Sequence, residues 1–458
     1  MNEFIIGKIG KFWTNVSEFP GILNKIQERY EFTILDKNFD NSDDYILVNG
    51  TIENYKLSLI LINKTIESKF SFNELNTYYV KQILIGKFFN NFDEIKFSNV
   101  HIKFNNIANV INFSHFNEFI TSDFEDHKLI ISLNEIKPFS VVFNDFKLKI
   151  CFEKYLTMRH MGTGEFVDSE LSIDIVLDYN NKQSIKQIQK DIFILQNLFS
   201  FITGKSEIIE LTSYEERNKI NIIHPLISNN HFTYNWMPTA IQINENNYVQ
   251  IFKKWFDNYN NLNSIYDLFC SIDEIHLNPS TLFLTYAQIL ESYHRQRFNG
   301  EYIPKKDFNK IAKEIYNCTK NSDEIKNLHN DNNKSQLKMK IKSSITYSFE
   351  YTLKDRLLEI FDKLTNYDFF EDILNQNSDL EDDDKLNLFA DIIKDNRNYY
   401  THYGNKKDNV VEGFELIKLN DLMKLTINLI LLMELGFSID EINRITNDDP
   451  NFSFREVY

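Results

Sequence analysis

The residues best suited to chemistry lie close together late in the chain: Arg397, Asn398 and His402, in the run DNRNYYTHYG. Arginine is always charged and matches the geometry of a phosphate, whereas histidine changes its charge near neutral pH. A cation can hold a phosphodiester while an imidazole moves a proton. The two residue types therefore indicate phosphate chemistry.

A helix must position these side chains. In residues 383–404, Leu386, Phe389, Ile392 and Ile393 recur at helical spacing, which predicts an amphipathic helix with one buried face. Five helical residues turn by about 140° and rise by about 7.5 Å, so Arg397 and His402 do not share one narrow stripe. We expect them to converge at a helix end, at a kink, or in a groove shared with a second copy of the helix.

Spacing alone leaves a second interpretation open, in which Arg397 pairs with a nearby acid such as Asp395 and His402 caps the helix. Arg217 and His224 nearly repeat the pattern, but they lie in a short alternating segment that ends at a proline. The long amphipathic helix around the first pair favours Arg397 and His402 as the site.

The run from Arg397 to His402 resembles the R-x4-6-H motif of HEPN ribonucleases, in which a polar residue follows the arginine. Residues 282–298, LFLTYAQILESYHRQRF, resemble the first long helix of that domain in the ApeA-type subfamily. Near the start of the chain, GKFWTN (residues 10–15) and the strand-rich region after it resemble the domain that precedes HEPN in ApeA-like antiviral proteins.

This resemblance implies metal-independent cleavage of RNA, with no cofactor and no metal ligand. The ribose 2′-hydroxyl attacks the adjacent phosphorus and leaves a 2′,3′-cyclic phosphate and a 5′-hydroxyl. His402 would act as general acid or base, Arg397 would hold the phosphate, and Asn398 would position them by hydrogen bonds. HEPN domains usually build one composite cleft from two copies, so a homodimer is expected.

The family also implies a role in antiphage defence by abortive infection. The expected partner is RNA, with tRNA as one candidate, and the phage-derived trigger is left open. The N-terminal domain would be a regulatory or sensing module. The alternative function is a non-catalytic helical dimerisation or scaffold module that needs a partner protein.

Three further features each allow two interpretations. Glu291 could orient Arg397 or His402, or it could form an ordinary ion pair between helices. The tyrosines at 399, 400 and 403 could stack on bases, or they could pack in the core. The segment KSQLKMKIKSS, residues 334–344, could be a basic patch, or it could be a solvated helix face or loop.

The net charge of −16 excludes strong binding of nucleic acid by the whole surface, and only a local basic patch could supply it. The three cysteines, at 151, 270 and 318, are too far apart to indicate a disulfide framework or a zinc ribbon. The first residues are not expected to act as a secretory signal, and the most apolar run, 425–437, is expected to be too short to cross a bilayer. We therefore expect a cytoplasmic protein that makes no membrane contact.

The chain is predicted to be α+β, with a β-rich, sandwich-like domain at 1–244 and an all-α HEPN bundle at 245–458. Asn49-Gly50 predicts a hairpin turn within 45–63, and Gly162 and Gly164 predict a hairpin tip. The predicted helices are 182–203, 247–258, 263–271, 280–298, 306–318, 347–365, 383–402 and 415–435.

Overall fold

The computed structural model describes residues 4–27, 29–36, 39, 43–65, 76–112, 120–125, 128–133, 138–161, 164–204, 206–215, 218–223, 239–272, 275, 277–298, 300–327, 331–346, 348–375 and 382–448. The chain forms two compact units, Met1–Phe256 and Asp257–Tyr458. The boundary at 244/245 stays a prediction.

The first unit is rich in strands that pair antiparallel. They are β1 (Ile9–Trp13), β2 (Glu18–Ile26), β3 (Arg29–Ile34), β4 (Tyr45–Ile52), β5 (Tyr55–Thr65), β6 (Thr77–Ile85), β7 (Lys96–Phe104), β8 (Ile120–Glu125), β9 (Lys128–Leu133), β10 (Phe139–Val142), β11 (Phe146–Met161), β12 (Gly164–Ser184), β13 (Ile208–Glu215) and β14 (Asn218–Ile223). Strands β8 and β9 pair only with each other in the described residues, and the other twelve form one sheet.

Six strands of this sheet close into a barrel in the order β6-β3-β2-β1-β4-β5, because β5 also pairs with β6. Strand β6 closes the barrel by pairing with both β3 and β5, and it also pairs with β14, which lies outside the barrel. Thr77–Tyr79 pair with β3, and Ile83–Ile85 pair with β14, from which the rest of the sheet continues. The predicted β-rich class is confirmed, and the sandwich-like arrangement takes the form of a closed barrel.

The barrel is filled by side chains, and the Phe12 ring, which is 0% exposed, lies at its centre. A Cβ at Gly50 would come within 2.0 Å of that ring, so only glycine fits there. The predicted turn at Asn49-Gly50 is wrong: both residues lie inside β4, and the chain turns after Ile52, where Glu53 has a φ of 51°. Gly50 makes room for Phe12 and does not form a turn.

Two helices of the first unit are α1 (Ile107–Val110) and α2 (Ile185–Thr203). Ser184 caps α2 by accepting a hydrogen bond from the Gln187 amide, which explains why the helix begins later than predicted. Strands β11 and β12 pair up to Met161 and Gly164, as expected for a hairpin, and residues 162–163 lie outside the described residues. Residues 217 and 224, the second arginine–histidine pair, also lie outside them.

The remaining helices are α3 (Tyr248–Ile272), α4 (Pro279–Arg297), α5 (Lys305–Lys320), α6 (Asp323–Lys326), α7 (Asp331–Thr346), α8 (Leu353–Leu364), α9 (Asp368–Asn375), α10 (Asp382–His402), α11 (Phe414–Glu434) and α12 (Ile439–Asp448). Helix α3 has a kink at Leu262, in the gap between the two predicted helices. The prediction of an all-α C-terminal region is confirmed.

Helices α1, α6, α7, α9 and α12 were missing from the prediction, and α1 and α6 have only four residues each. None of the residues of α7 is buried, so its sequence has no apolar stripe to reveal it. Helices α9 and α12 are only 8 and 10 residues long, although Phe370 and Ile442 anchor them in the core. Short helices of this kind are stabilised by tertiary packing more than by their own sequence.

Candidate active site

Helix α10 carries the site and packs against α4 and α8. Its inner face is formed by Phe389, Ile393, Asn396 and Tyr400, at helical spacing, all of them buried. The Phe389 ring stacks on Phe361 of α8 at 5.2 Å between centroids. Because this face is fixed in the core, the direction of the other side chains of the last two turns is fixed as well.

Arg397 lies at the edge of that inner face, and its side chain is 38% exposed. Its Nη2 lies 3.8 Å from Oε2 of Glu291 on α4, and its Nη1 donates to Oδ1 of Asn398 at 3.4 Å. Glu291 and Asn398 thus both lie beside the guanidinium, which is held in place but still accessible to an anion. A second carboxylate contact, from Asp395, is not made, because Asp395 instead binds Lys407 at 2.8 Å.

His402 is the last residue of α10 and is exposed. Within the described part of the chain its ring has no hydrogen-bond or ion-pair partner. Helix α10 runs without interruption from Arg397 to His402, so the two side chains leave the helix about 140° apart. A free imidazole at an exposed helix end can exchange protons with a ligand.

A loop of residues 403–413 follows the site and is tied back to α10. The side chain of Asn396, which is 0% exposed, donates to the Asn409 carbonyl at 2.8 Å and accepts from the Val411 amide at 2.9 Å. The hydroxyl of Tyr400 donates to the Val411 carbonyl at 2.6 Å. Sequence reasoning missed Asn396; the signal was a polar residue on the apolar face of the predicted helix.

The three tyrosines around the motif have different environments. Tyr400 is buried, and Tyr399 is half-buried with its hydroxyl 3.3 Å from Glu412. Tyr403 is 67% exposed and has a φ of 47°, which a residue other than glycine rarely adopts. Of the three, Tyr403 is therefore the side chain with a face open to a base.

A series of ion-paired side chains continues from Glu291 toward the interior of the helical unit. Arg295 on α4 donates to Glu291 at 3.1 Å and to Glu350 at 3.0 Å, and Glu350 also accepts from Arg356 at 3.1 Å. Arg356 is 1% exposed and further binds the Tyr351 carbonyl at 2.9 Å. Sequence reasoning missed Glu350 and Arg356, because they lie 47 and 41 residues before Arg397 in the chain.

His294 lies at the inner end of this series of ion pairs and is fully buried. Its Nε2 donates to Glu359 at 2.7 Å, and its Nδ1 lies 3.4 Å from Nη1 of Arg356. Burial lowers the pKa of His294 below its usual value, and the Arg356 charge adds to this lowering, although Glu359 opposes it. The ring is neutral, with the proton on Nε2 as its two partners require.

This lowered pKa predicts a pH dependence of stability. As the pH falls below about 6.5, the unfolded chain takes up a proton at His294 before the folded chain does, so the free energy of unfolding should decrease. We expect urea unfolding between pH 8 and pH 5 (roughly the range in which histidine titrates) to give a shallower pH dependence for His294→Gln than for the wild type. Equal pH dependence in both would contradict this.

In the described residues, no group of three or more histidine, cysteine, aspartate or glutamate side chains is arranged to hold a metal ion. None of the helices described combines the length and apolar character needed to cross a bilayer.

Comparison with known families assigns a class to each half of the chain. Residues 284–441 match the family model described as Apea-like HEPN, and these residues include most of α4, all of α10 and the Arg397–His402 motif. Residues 7–275 match the model described as ApeA N-terminal domain 1, which includes the barrel. No curated protein and no solved structure matches the chain.

The chain therefore belongs to the ApeA-like family of HEPN proteins. This family points to antiphage defence, and HEPN domains are generally nucleases.

Proposed function

We propose that the protein is a metal-independent endoribonuclease that acts in antiphage defence by abortive infection. The observation that carries this proposal is the last two turns of α10, where the Arg397 guanidinium lies 3.8 Å from Glu291 and the His402 ring is exposed without a structural partner in the described residues. These are the two groups that cleavage of RNA by its own 2′-hydroxyl needs.

In the proposed reaction, the 2′-oxygen forms a bond to phosphorus as the bond from phosphorus to the 5′-oxygen breaks. His402 takes the proton from the 2′-hydroxyl as general base or gives a proton to the leaving 5′-oxygen as general acid. Arg397 binds the non-bridging oxygens and stabilises the charge that develops on them. Asn398 and Glu291 keep the guanidinium in position.

The protein acts as a homodimer whose two-fold axis passes near residues 397–402. Support comes from the helical separation of Arg397 and His402, which favours a cleft completed by a second copy. Further support comes from exposed apolar side chains that follow the motif, namely Tyr403, Phe414 and Ile417, which are 67%, 57% and 41% exposed. The N-terminal unit serves as the regulatory or sensing module.

The alternative is a non-catalytic scaffold in which Arg397 and His402 maintain structure and a partner protein is required. The His402 ring has no hydrogen-bond partner in the described residues. This favours the nuclease, because a histidine that maintains structure normally has a hydrogen-bond partner.

The test is cleavage of total RNA by the purified full-length chain in the presence of a chelator, with Arg397 varied. We expect Arg397→Ala to lower the cleavage rate by about 10²–10³-fold, as for loss of one group that stabilises developing charge. Arg397→Lys should be intermediate, because lysine keeps the charge but not the planar pair of donors. Products should end in a 2′,3′-cyclic phosphate.

The control for this series is Arg444→Ala on α12. Arg444 is exposed and has no ion pair among the described residues. Phage challenge of cells that express each variant should give protection only where RNA is cleaved. RNA left intact by the wild type, with protection kept in Arg397→Ala, would overturn the nuclease and support the scaffold.

A further inference from the structure

Helices α5, α6 and α7 lie within residues 305–346, a segment that we call the lysine hairpin. It contains ten lysines and five acidic residues, a formal net charge of +5 in a chain of −16, so that the rest of the chain carries −21. In an acidic protein, a segment of opposite charge is the part that a polyanion would contact.

The lysine hairpin adds little to the core. None of the residues of α7 is buried, and α5 and α6 bury only Phe308 and Ile325. The packing of the helical unit therefore does not explain why this segment is present, and its surface is available to a ligand.

Seven of its ten lysines lack a carboxylate partner within the described residues. Lys305 and Lys320 lie over the rings of Phe349 and Tyr316. The other five are Lys306, Lys313, Lys338, Lys340 and Lys342. By contrast, Lys334 lies 3.5 Å from Asp331, and Lys326 lies 3.2 Å from Asp323. Unpaired ammonium groups suit phosphates, which they can bind without first breaking an ion pair.

The two ends of the lysine hairpin meet at its root, which lies beside the series of ion-paired side chains that leads to Arg397. Glu301 and Glu350 form an antiparallel bridge there, and the Tyr302 amide donates to the Phe349 carbonyl at 3.1 Å. The same Glu350 binds Arg295 at 3.0 Å, Arg295 binds Glu291 at 3.1 Å, and Glu291 lies 3.8 Å from Arg397.

The unpaired lysines are concentrated near this root. Lys306 lies in the first turn of α5, just after the bridge. Lys340 and Lys342 lie in the half of α7 that returns to the bridge, and Lys338 lies at the middle of α7. A strand of RNA bound along these lysines would therefore run toward Arg397.

We infer that the lysine hairpin binds the phosphate backbone of the RNA substrate and guides it to Arg397 and His402. This inference rests on the proposed function. RNA is favoured over a protein partner because the lysine hairpin presents separate ammonium groups that have no carboxylate partner, which suit the evenly spaced phosphates of a nucleic acid. The exposed apolar side chains of this segment, Ile311, Ile315, Leu337 and Met339, leave association with a second copy as an outcome of the test.

The test measures binding of the full-length chain to a short fluorescent 2′-O-methyl RNA over a range of salt concentrations. This probe lacks the nucleophile, so binding is measured without cleavage. For the triple variant Lys338→Gln, Lys340→Gln, Lys342→Gln we expect the slope of log affinity against log salt to fall by about 2, at about 0.7 per lost contact with a single strand. Affinity at 0.1 M salt should fall by about ten- to a hundredfold.

The matched control is Lys96→Gln, Lys186→Gln, Lys190→Gln, which removes three exposed lysines of the first unit and should leave the slope unchanged. Replacing the three α7 lysines by arginine should restore binding. An α7 variant that binds as the wild type does, while the wild type still cleaves RNA, would overturn the inference alone. A change in sedimentation without a change in RNA affinity would assign the lysine hairpin to self-association. A wild type that neither binds the probe nor cleaves RNA would overturn both proposals.

Discussion

Replacement of His402 by alanine should lower the rate of RNA cleavage by about 10²–10⁴-fold, the range that a positioned general acid or base contributes. The fold should be retained, because the His402 ring is exposed and has no hydrogen-bond partner in the described residues. Changes at such surface positions usually alter the free energy of unfolding by no more than about 0.5 kcal/mol. The loss of activity would therefore reflect chemistry and not unfolding.

The matched control is Thr401→Val, one residue earlier on the same helix turn. The Thr401 hydroxyl donates to the Arg397 carbonyl of its own helix at 2.7 Å, so its loss should leave the cleavage rate close to that of the wild type. Single-turnover cleavage rates and thermal unfolding of both variants separate the two effects. If His402→Ala cleaves RNA as fast as Thr401→Val, His402 is not the proton-transfer group.

A second large effect is expected for Arg356→Met, this time on stability. The Arg356 side chain is 2% exposed and joins Glu350, His294 and the backbone carbonyl groups of Gly300 and Tyr351. Removal of one partner from a buried charged cluster costs about 3–5 kcal/mol, because the groups left behind keep their desolvation penalty. Glu350 is 25% exposed and keeps Arg295, so we expect the lower end, about 3 kcal/mol.

For a unit of this size, about 3 kcal/mol corresponds to a fall in Tm of about 6–12 °C. Arg444→Met is the control, since it removes an exposed arginine of the same unit and should change Tm very little. Differential scanning calorimetry of the full-length variants measures both. Equal Tm values for Arg356→Met and Arg444→Met would show that the cluster does not stabilise the helical unit.

Most of the helical unit could be predicted from the sequence, because its long helices carry an apolar stripe with a period of 3.6 residues. Helix α10 was predicted within one residue at its start, and its end at His402 was predicted correctly. The position of Arg397, Asn398 and His402 along one helix could be predicted for the same reason. Helix α7 could not, since it packs no face into the core.

Pairing in the β-rich unit was harder to predict, because strand neighbours depend on residues far apart in the chain. Asn49-Gly50 has the composition of a tight turn, yet its local preference is overridden by the Phe12 ring, which needs the space that Gly50 leaves open. Closure of the barrel depends on β6 pairing with both β5 and β3, and no local pattern encodes it.

The sequence by itself determined the residue types of the candidate site, their spacing and the helix that carries them, because these depend on local periodicity and side-chain chemistry. Only the tertiary structure decided what surrounds them. It brought Glu291 next to Arg397, used Asn396 to hold the loop after His402, and joined the root of the lysine hairpin to the site through Arg295 and Glu350. Those contacts join residues that are far apart in the chain or lie in irregular segments, and they form only when the apolar faces of the helices pack together.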